Sequence, residues 1–329
     1  MFGIEFVPDV PLNNLVNHCV LAENNGFDAV WITDHYNNRN VYATLALVAE
    51  RTKRVRIGPG VTNAYQVHPA ITASAIATID NISNGRAILG IGAGDRTTLA
   101  SLGIQMDKPV AKLREAVEII RRLLAGERLS FQGDFFKIER AKLSLKCSDI
   151  PIYIGAQGPI MLKTASAIGD GVLINASHPL DFKYAIPQIQ KGSPKEGFDI
   201  AAYASFSVDS DEEKAKKAVT PVVAFIVAGS PPPVLERHGI DPAEADAIKS
   251  SLSKGDFKTA FWSVTDIMVD AFSIYGSPDH CIRRIRELYG IGVTQVVVGS
   301  PIGPDVSASI KLIGEEIIGE FGGLGLNLG

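Results

Sequence analysis

The sequence predicts an α/β protein: a (β/α)8 TIM barrel with insertions, built as a single domain over residues 1–329. Three observations predict it. Short apolar runs of strand length recur along the chain, most of them near-continuous rather than alternating, as parallel strands buried on both faces require. Helical apolar patterns alternate with these runs, which is the signature of βαβ units. There are eight such runs, and eight units favour a closed barrel over an open doubly wound sheet.

The first run is residues 3–6. A helix comes next, with Leu12, Leu15, Val16, Cys19 and Val20 on one face. Gly26-Phe27-Asp28 reads as a helix stop and a tight turn into the second run, residues 29–32. Residues 55–57 and 87–91 are the third and fourth. Leu113, Val117, Ile120 and Leu124 mark a helix after them. Residues 130–138 (SFQGDFFKI) set a Gln-Gly-Asp turn between apolar residues and predict a hairpin excursion. Residues 152–154 and 172–174 are the fifth and sixth runs, with Gly169-Asp170-Gly171 repeating the helix-to-strand punctuation. The seventh is 202–208.

Residues 229–276 break the rhythm. They open on Gly229-Ser230-Pro231-Pro232-Pro233, carry polar helical patterns and close at Tyr275-Gly276-Ser277-Pro278. This is the expected insertion, between the seventh and eighth strands. A helix with Ile282, Ile285 and Leu288 on one face comes after it, then Gly290-Ile291-Gly292, the eighth run at 295–298, and a last helix carrying Ile310, Ile313 and Ile317. The glycine-rich tail from Gly322 to Gly325 is expected to lack fixed structure.

Composition narrows the function classes. A hydrophobic fraction of 46% and a charged fraction of 21% fit a packed soluble core. With 32 basic and 36 acidic residues, net charge −4, nucleic acid is not the expected partner. Cys19, Cys147 and Cys281 lie far apart without a C-x-x-C pair, so neither a zinc ribbon nor a disulfide framework is expected. That usage suits a reducing compartment. The opening Met1–Glu5 lacks the basic and long apolar regions of a signal peptide, and no apolar stretch reaches about 18–20 residues, so a cytoplasmic protein with no membrane span is expected.

In an α/β barrel, ligands are bound by residues at the C-terminal ends of the strands. Here those residues are Thr33-Asp34-His35, Gly60-Val61-Thr62-Asn63, Gly92-Ala93-Gly94-Asp95, Gly155-Ala156-Gln157-Gly158, Asn175 and Gly299-Ser300-Pro301. The glycines admit either a ligand close to the backbone or merely tight barrel turns. Neither glycine cluster is a Rossmann or Walker motif. Glu5 is an ionisable residue in an apolar strand. It is read either as a partnered structural carboxylate or as a barrel-mouth acid whose pKa desolvation raises. Asp34-His35 is either a proton-handling pair or a loop cap. His68 before Pro69 is expected to cap a helix, and His18, His238 and His280 fall on helical stretches. No spacing predicts a metal site, and no G-x-S-x-G elbow predicts a serine hydrolase.

Several stretches resemble the bacterial-luciferase-like family of flavin and deazaflavin barrels, and within it the methylenetetrahydromethanopterin-reducing branch of methanogenic archaea. They are Gly3-Ile4-Glu5-Phe6-Val7-Pro8-Asp9, Trp31-Ile32-Thr33-Asp34-His35-Tyr36-Asn37-Asn38-Arg39-Asn40, Gly60-Val61-Thr62-Asn63-Ala64-Tyr65 and Gly90-Ile91-Gly92-Ala93-Gly94-Asp95. The residues before Thr33-Asp34-His35 are a family-wide feature, whereas the run from Tyr36 to Asn40 is narrower and carries the resemblance to this branch.

The resemblance implies a (β/α)8 barrel that binds coenzyme F420 at its mouth, with a non-prolyl cis peptide at Gly60-Val61 behind the deazaflavin ring. It implies coenzyme contacts from Thr33, Asp34, His35, Gly60, Val61, Asn63, Gly92, Ala93, Gly94, Gly155, Ala156, Gln157 and Gly158. It implies reduction of 5,10-methylenetetrahydromethanopterin to the 5-methyl compound by hydride transfer, a step of methanogenesis from CO2 acting on a CH–NH group. A homodimer or homotetramer is implied too. The reaction needs an acid at a pterin nitrogen, and Glu5 is the first candidate and Asp95 the second. Arg39 and Arg96 are candidates to meet the anionic ligands. The alternatives within the family are an F420-dependent alcohol or sugar-phosphate dehydrogenase and an FMN-dependent monooxygenase. A flavin-binding barrel without turnover is a further one.

Overall fold

The computed structural model describes residues 1–322. Its strands are β1 (Phe2–Phe6), β2 (Ala29–Ile32), β3 (Arg56–Pro59), β4 (Thr62–Asn63), β5 (Leu89–Gly92), β6 (Leu129–Gln132), β7 (Lys137–Ala141), β8 (Ile152–Gly155), β9 (Gly171–Ile174), β10 (Asp199–Val208), β11 (Ile274–Gly276) and β12 (Gln295–Ile302). Hydrogen-bonded neighbours run β3-β2-β1-β12-β10-β9-β8-β5-β4, all parallel, and a bridge between Ile57 and Ala87 closes the ring. β3 and β4 are two halves of one stave, separated by the Gly60–Val61 peptide, which is cis as the resemblance implied. The expected eight-unit barrel is therefore present, with one stave broken in two. Residues 323–325 of the glycine-rich tail lie outside the described residues.

The strands match the expected runs but overrun them where polar residues hide. β10 begins at Asp199, three residues before the expected 202. Asp199 is buried, and its carboxylate accepts from the Tyr153 hydroxyl at 2.9 Å, so a charged residue continues the strand at no cost in unpaired polarity. β12 continues past Val298 to Ile302. β6 and β7 form the expected antiparallel hairpin. β11 was not anticipated: it pairs in parallel with β10 at the end of the expected insertion.

The core has two shells. Between strands and helices lie residues such as Ile4, Val30, Leu45, Ile57, Ile76 and Ile120. Inside the barrel, Trp31, Ile88, Tyr153, Leu173, Ala201 and Val297 form a separate cluster. The Trp31 and Tyr153 rings meet edge-on at 5.3 Å, a favoured aromatic geometry. Burying each large apolar side chain contributes about 1.5–3 kcal/mol. These residues fill the barrel below its C-terminal mouth.

Side chains at their first turns start the helices. The Asn40 carboxamide accepts from the Tyr42 and Ala43 amides at 3.1 Å and opens helix Val41–Arg51. His68 Nδ1 accepts from the Ala70 amide at 3.2 Å and opens helix Pro69–Ser83, the capping role expected for it. Helices Pro232–Arg237, Pro242–Ser253, Phe257–Trp262 and Asp266–Phe272 occupy the expected insertion. They pack on the preceding helix Glu212–Gly229 around Val223, Val227, Ile248, Met268 and Phe272, a cluster distinct from the barrel core. Buried Asp181 ties this layer to the barrel: it accepts from Arg237 at 2.6 Å and lies 3.0 Å from His238 Nε2.

Candidate functional site

A cavity of about 510 Å³ opens where the barrel strands end. Thr33, Asp34 and His35 enter it after β2, Gly60 and Val61 from the break between β3 and β4, and Asn63 from the end of β4. Gly92, Ala93, Gly94 and Asp95 come from β5, and Gly155, Ala156 and Gln157 from β8. The barrel thus brings together almost the whole set singled out by sequence. Gly158 stands outside this lining, where it opens helix Pro159–Ile168.

One wall is bare backbone. A Cβ added at Gly92 or at Gly155 would come within 3.2 Å of the Val61 methyls, and one at Gly60 would come 2.9 Å from the Tyr203 hydroxyl. Side chains are excluded there, which leaves a flat strip against which a planar ring can lie. Polar groups surround the strip. Asn63 Oδ1 accepts from the Tyr65 and Gln66 amides at 3.0 Å, which fixes its carboxamide, and Gln157 Nε2 donates to the Asn175 carbonyl at 3.1 Å. Burial raises the Asp34 carboxyl above its ordinary value, with a Thr62 hydrogen bond and the His35 charge opposing it in part.

Glu5 lies on β1, 5% exposed and just behind the cavity lining. Its Oε2 accepts from the Ser300 amide at 2.8 Å and from the Ser300 hydroxyl at 3.2 Å. Burial pushes its carboxyl above the ordinary value, Ser300 pulls it back, and the Asp9 charge adds to the rise. Tyr203 does reach the lining. Its hydroxyl is driven far up by burial and by the nearby Glu5 charge, so it stays protonated, and it donates to the Gly60 carbonyl at 3.0 Å.

Asp95 is a different case from Glu5. It is exposed and caps helix Arg96–Ser101, accepting from the Thr98 amide at 2.6 Å. Burial raises its carboxyl, but hydrogen bonds from Thr98 and Thr97 and the His35 charge together hold it below its ordinary value. Asp95 thus has a structural role at the cavity wall as the cap of this helix. Arg39 spends its guanidinium on the Pro8 carbonyl at 3.1 Å.

Sequence reasoning missed Gln66, Thr98, Leu99, Met161, Leu173 and Tyr203 in the lining. Tyr203 had a signal: a lone phenol among small and apolar residues in the seventh run. It also missed Lys112, whose ammonium sits 4.1 Å over the Tyr65 ring beside the site. Among the described residues, no group of three or more His, Cys, Asp or Glu is placed to hold a metal.

Comparison with known proteins shows the family. Residues 4–295 match the family described as luciferase-like monooxygenase. The chain is 56% identical to 5,10-methylenetetrahydromethanopterin reductase of Archaeoglobus fulgidus, over 96% of this chain and 98% of that one. It is 54% identical to the protein of the same name from Methanolobus tindarius, over 97% and 99%. It superposes with a TM-score of 0.94 on the coenzyme F420-dependent tetrahydromethanopterin reductase of Methanopyrus kandleri, at 46% identity, over 97% of this chain and 99% of that one.

Proposed function

The chain belongs to the luciferase-like monooxygenase family and, within it, to the 5,10-methylenetetrahydromethanopterin reductases; from that premise we infer that it reduces 5,10-methylenetetrahydromethanopterin to the 5-methyl compound with coenzyme F420. One observation carries the reading: a bare-backbone cradle at the barrel mouth with a buried carboxyl at its back, whose proton affinity burial raises. The cradle fits a deazaflavin, because Gly60, Gly92 and Gly155 leave the space a flat tricyclic ring needs beside Val61. When bound, the reduced coenzyme supplies the hydride. Thr33, Asp34, His35, Asn63, Ala93, Gly94, Ala156 and Gln157 are the residues we assign to hold it.

The chain's own part is positioning and proton supply. A methylene bridge between two nitrogens accepts hydride poorly. Protonating one nitrogen opens the bridge to an iminium cation on the substrate, which accepts hydride readily. Glu5 is the acid we assign. Burial raises the affinity of its carboxyl for a proton, and on this reading the carboxylate left after transfer balances the charge of the new cation. A positioned acid of this kind is worth about 10²–10⁴-fold in rate. Tyr203 fixes the cradle's back edge through the Gly60 carbonyl. Arg96 and Lys112, both near Tyr65, are the cations we assign to the anionic ligands.

No helix among the described residues is long and apolar enough to cross a membrane. We further propose a cytoplasmic homo-oligomer, a dimer or tetramer. The free cysteines suit a reducing compartment. Phe225, Phe257, Trp262 and Ile267 are exposed large apolar residues on the helical layer, and they suit a subunit contact. Light scattering reads the state directly.

The decisive experiment is anaerobic. Protein, reduced coenzyme F420 and methylenetetrahydromethanopterin are mixed, and the absorbance of the oxidised deazaflavin is monitored. Absorbance should rise only when the pterin is present and in proportion to methyl product. No rise with both substrates at saturating concentration overturns the assignment.

A further inference from the structure

Two donors of one residue converge on one oxygen of the buried acid. The Ser300 amide and the Ser300 hydroxyl both point at Glu5 Oε2. Among the described residues, Oε1 has no hydrogen-bonding protein partner. The fold creates this asymmetry in three ways. β1 and β12 run parallel in register, with Ile4 beside Val298, so Glu5 comes next to the Gly299-Ser300 segment. Gly299 leaves room for the carboxyl, since a Cβ there would come 3.3 Å from Oε2 and 2.6 Å from the Ala204 carbonyl. The register of β10 against β12 slips between Ser205 and Ser207, from Gly299 to Ile302. That slip releases the Ser300 amide from the ladder and lets it donate to a side chain instead.

We propose that Ser300 is the positioning residue of the Glu5 acid, holding Oε2 as the hydrogen-bond acceptor so that the transferable proton sits on Oε1. An amide N–H can only donate. A proton on Oε2 would face it directly, leaving a buried donor unpaired, so the neutral carboxyl takes its hydrogen on the other oxygen. After transfer, the same two donors hold the carboxylate charge, and such charge-assisted bonds are stronger than neutral ones. Ser300 therefore selects the oxygen that reacts and stabilises the product form of the acid. The inference rests on the reading of Glu5 as the acid and names the residue that orients it.

The test separates this from the parent reading. Carbon-13 labelling of glutamate, with Glu5→Gln as the difference control, isolates the Glu5 carboxyl band in the infrared spectrum of the full chain without substrate. In the unaltered protein the protonated C=O band should fall on the low-frequency side typical of a carbonyl accepting two hydrogen bonds. A band at the free-carbonyl position overturns the proposal, and this measurement leaves Ser300 itself unaltered. Ser300→Ala keeps the amide and removes the hydroxyl. The Glu5 titration midpoint should then rise by about one pH unit. Under the same change kcat should fall roughly tenfold, with coenzyme affinity and KM nearly unchanged, and Ser300→Thr should restore both. An unmoved midpoint in Ser300→Ala overturns the proposal. If Glu5→Gln retains full turnover, the reading of Glu5 as the acid fails, while the infrared result still reports on Ser300.

Discussion

The Tyr203 hydroxyl donates to the Gly60 carbonyl at 3.0 Å, joining β10 to the break in the third stave across 143 residues of chain. The carbonyl belongs to the cis peptide that backs the cradle, and the half-buried phenol lies near Glu5. Removing the hydroxyl leaves that carbonyl without this partner, at a cost of about 1–3 kcal/mol. Tyr203→Phe should therefore lower thermal stability by a few degrees and weaken coenzyme F420 binding several-fold. Fluorescence titration of the coenzyme measures the second effect. Unchanged affinity and stability would show that the bond does not shape the cradle.

Replacing the acid tests the chemistry. Glu5→Gln keeps the shape and an oxygen for Ser300 but cannot supply a proton. Turnover should drop by about 10²–10⁴-fold, while coenzyme affinity stays within about twofold. Stopped-flow reduction and equilibrium titration give the two numbers. Loss of coenzyme binding in parallel with turnover would mean that Glu5 is structural.

Glu5 also sets a pH dependence of stability. Burial raises its folded pKa above the unfolded value, so the folded state holds the proton more tightly. The contribution is fully present below the ordinary carboxyl value of 4.5 and is lost as pH rises through the folded pKa. Glu5→Gln should accordingly melt higher than the parent at pH 8 and lose that advantage near pH 4. Melting curves across this range check it, and equal differences at both pH values would contradict it.

Asp95→Asn separates a cap from an acid. Asparagine caps helices about as well as aspartate, so helix Arg96–Ser101 should persist and turnover should change by less than about threefold. A fall of a hundredfold or more would restore Asp95 as a proton donor, against the lowered position of its carboxyl.

The tie at Asp181 predicts a stability effect far from the chemistry. Asp181→Ala strands Arg237 and the buried His238, and breaking a buried charged pair costs about 3–5 kcal/mol. Hydrogen exchange should rise first in helices Pro232–Arg237 and Asp266–Phe272. Protection lost evenly across the barrel would mean that the helical layer is not held there.

The sequence alone determined the barrel and most of the cavity wall. Apolar runs buried on both faces leave little freedom in where parallel strands lie, and the glycines at the ends of those strands mark the wall because a backbone approached by a ligand cannot carry side chains. Thr33, Asp34, Asn63, Gly92 and Gln157 were legible for that reason. Only the tertiary structure decided what each polar group does. Asp95 and Glu5 look alike as letters, yet one is an exposed helix cap and the other a buried carboxyl with two donors on one oxygen. Tyr203 and Ser300 reach Gly60 and Glu5 only because barrel closure brings distant strands side by side. Proton affinity is set by such neighbours and by desolvation, and neither is written in local periodicity.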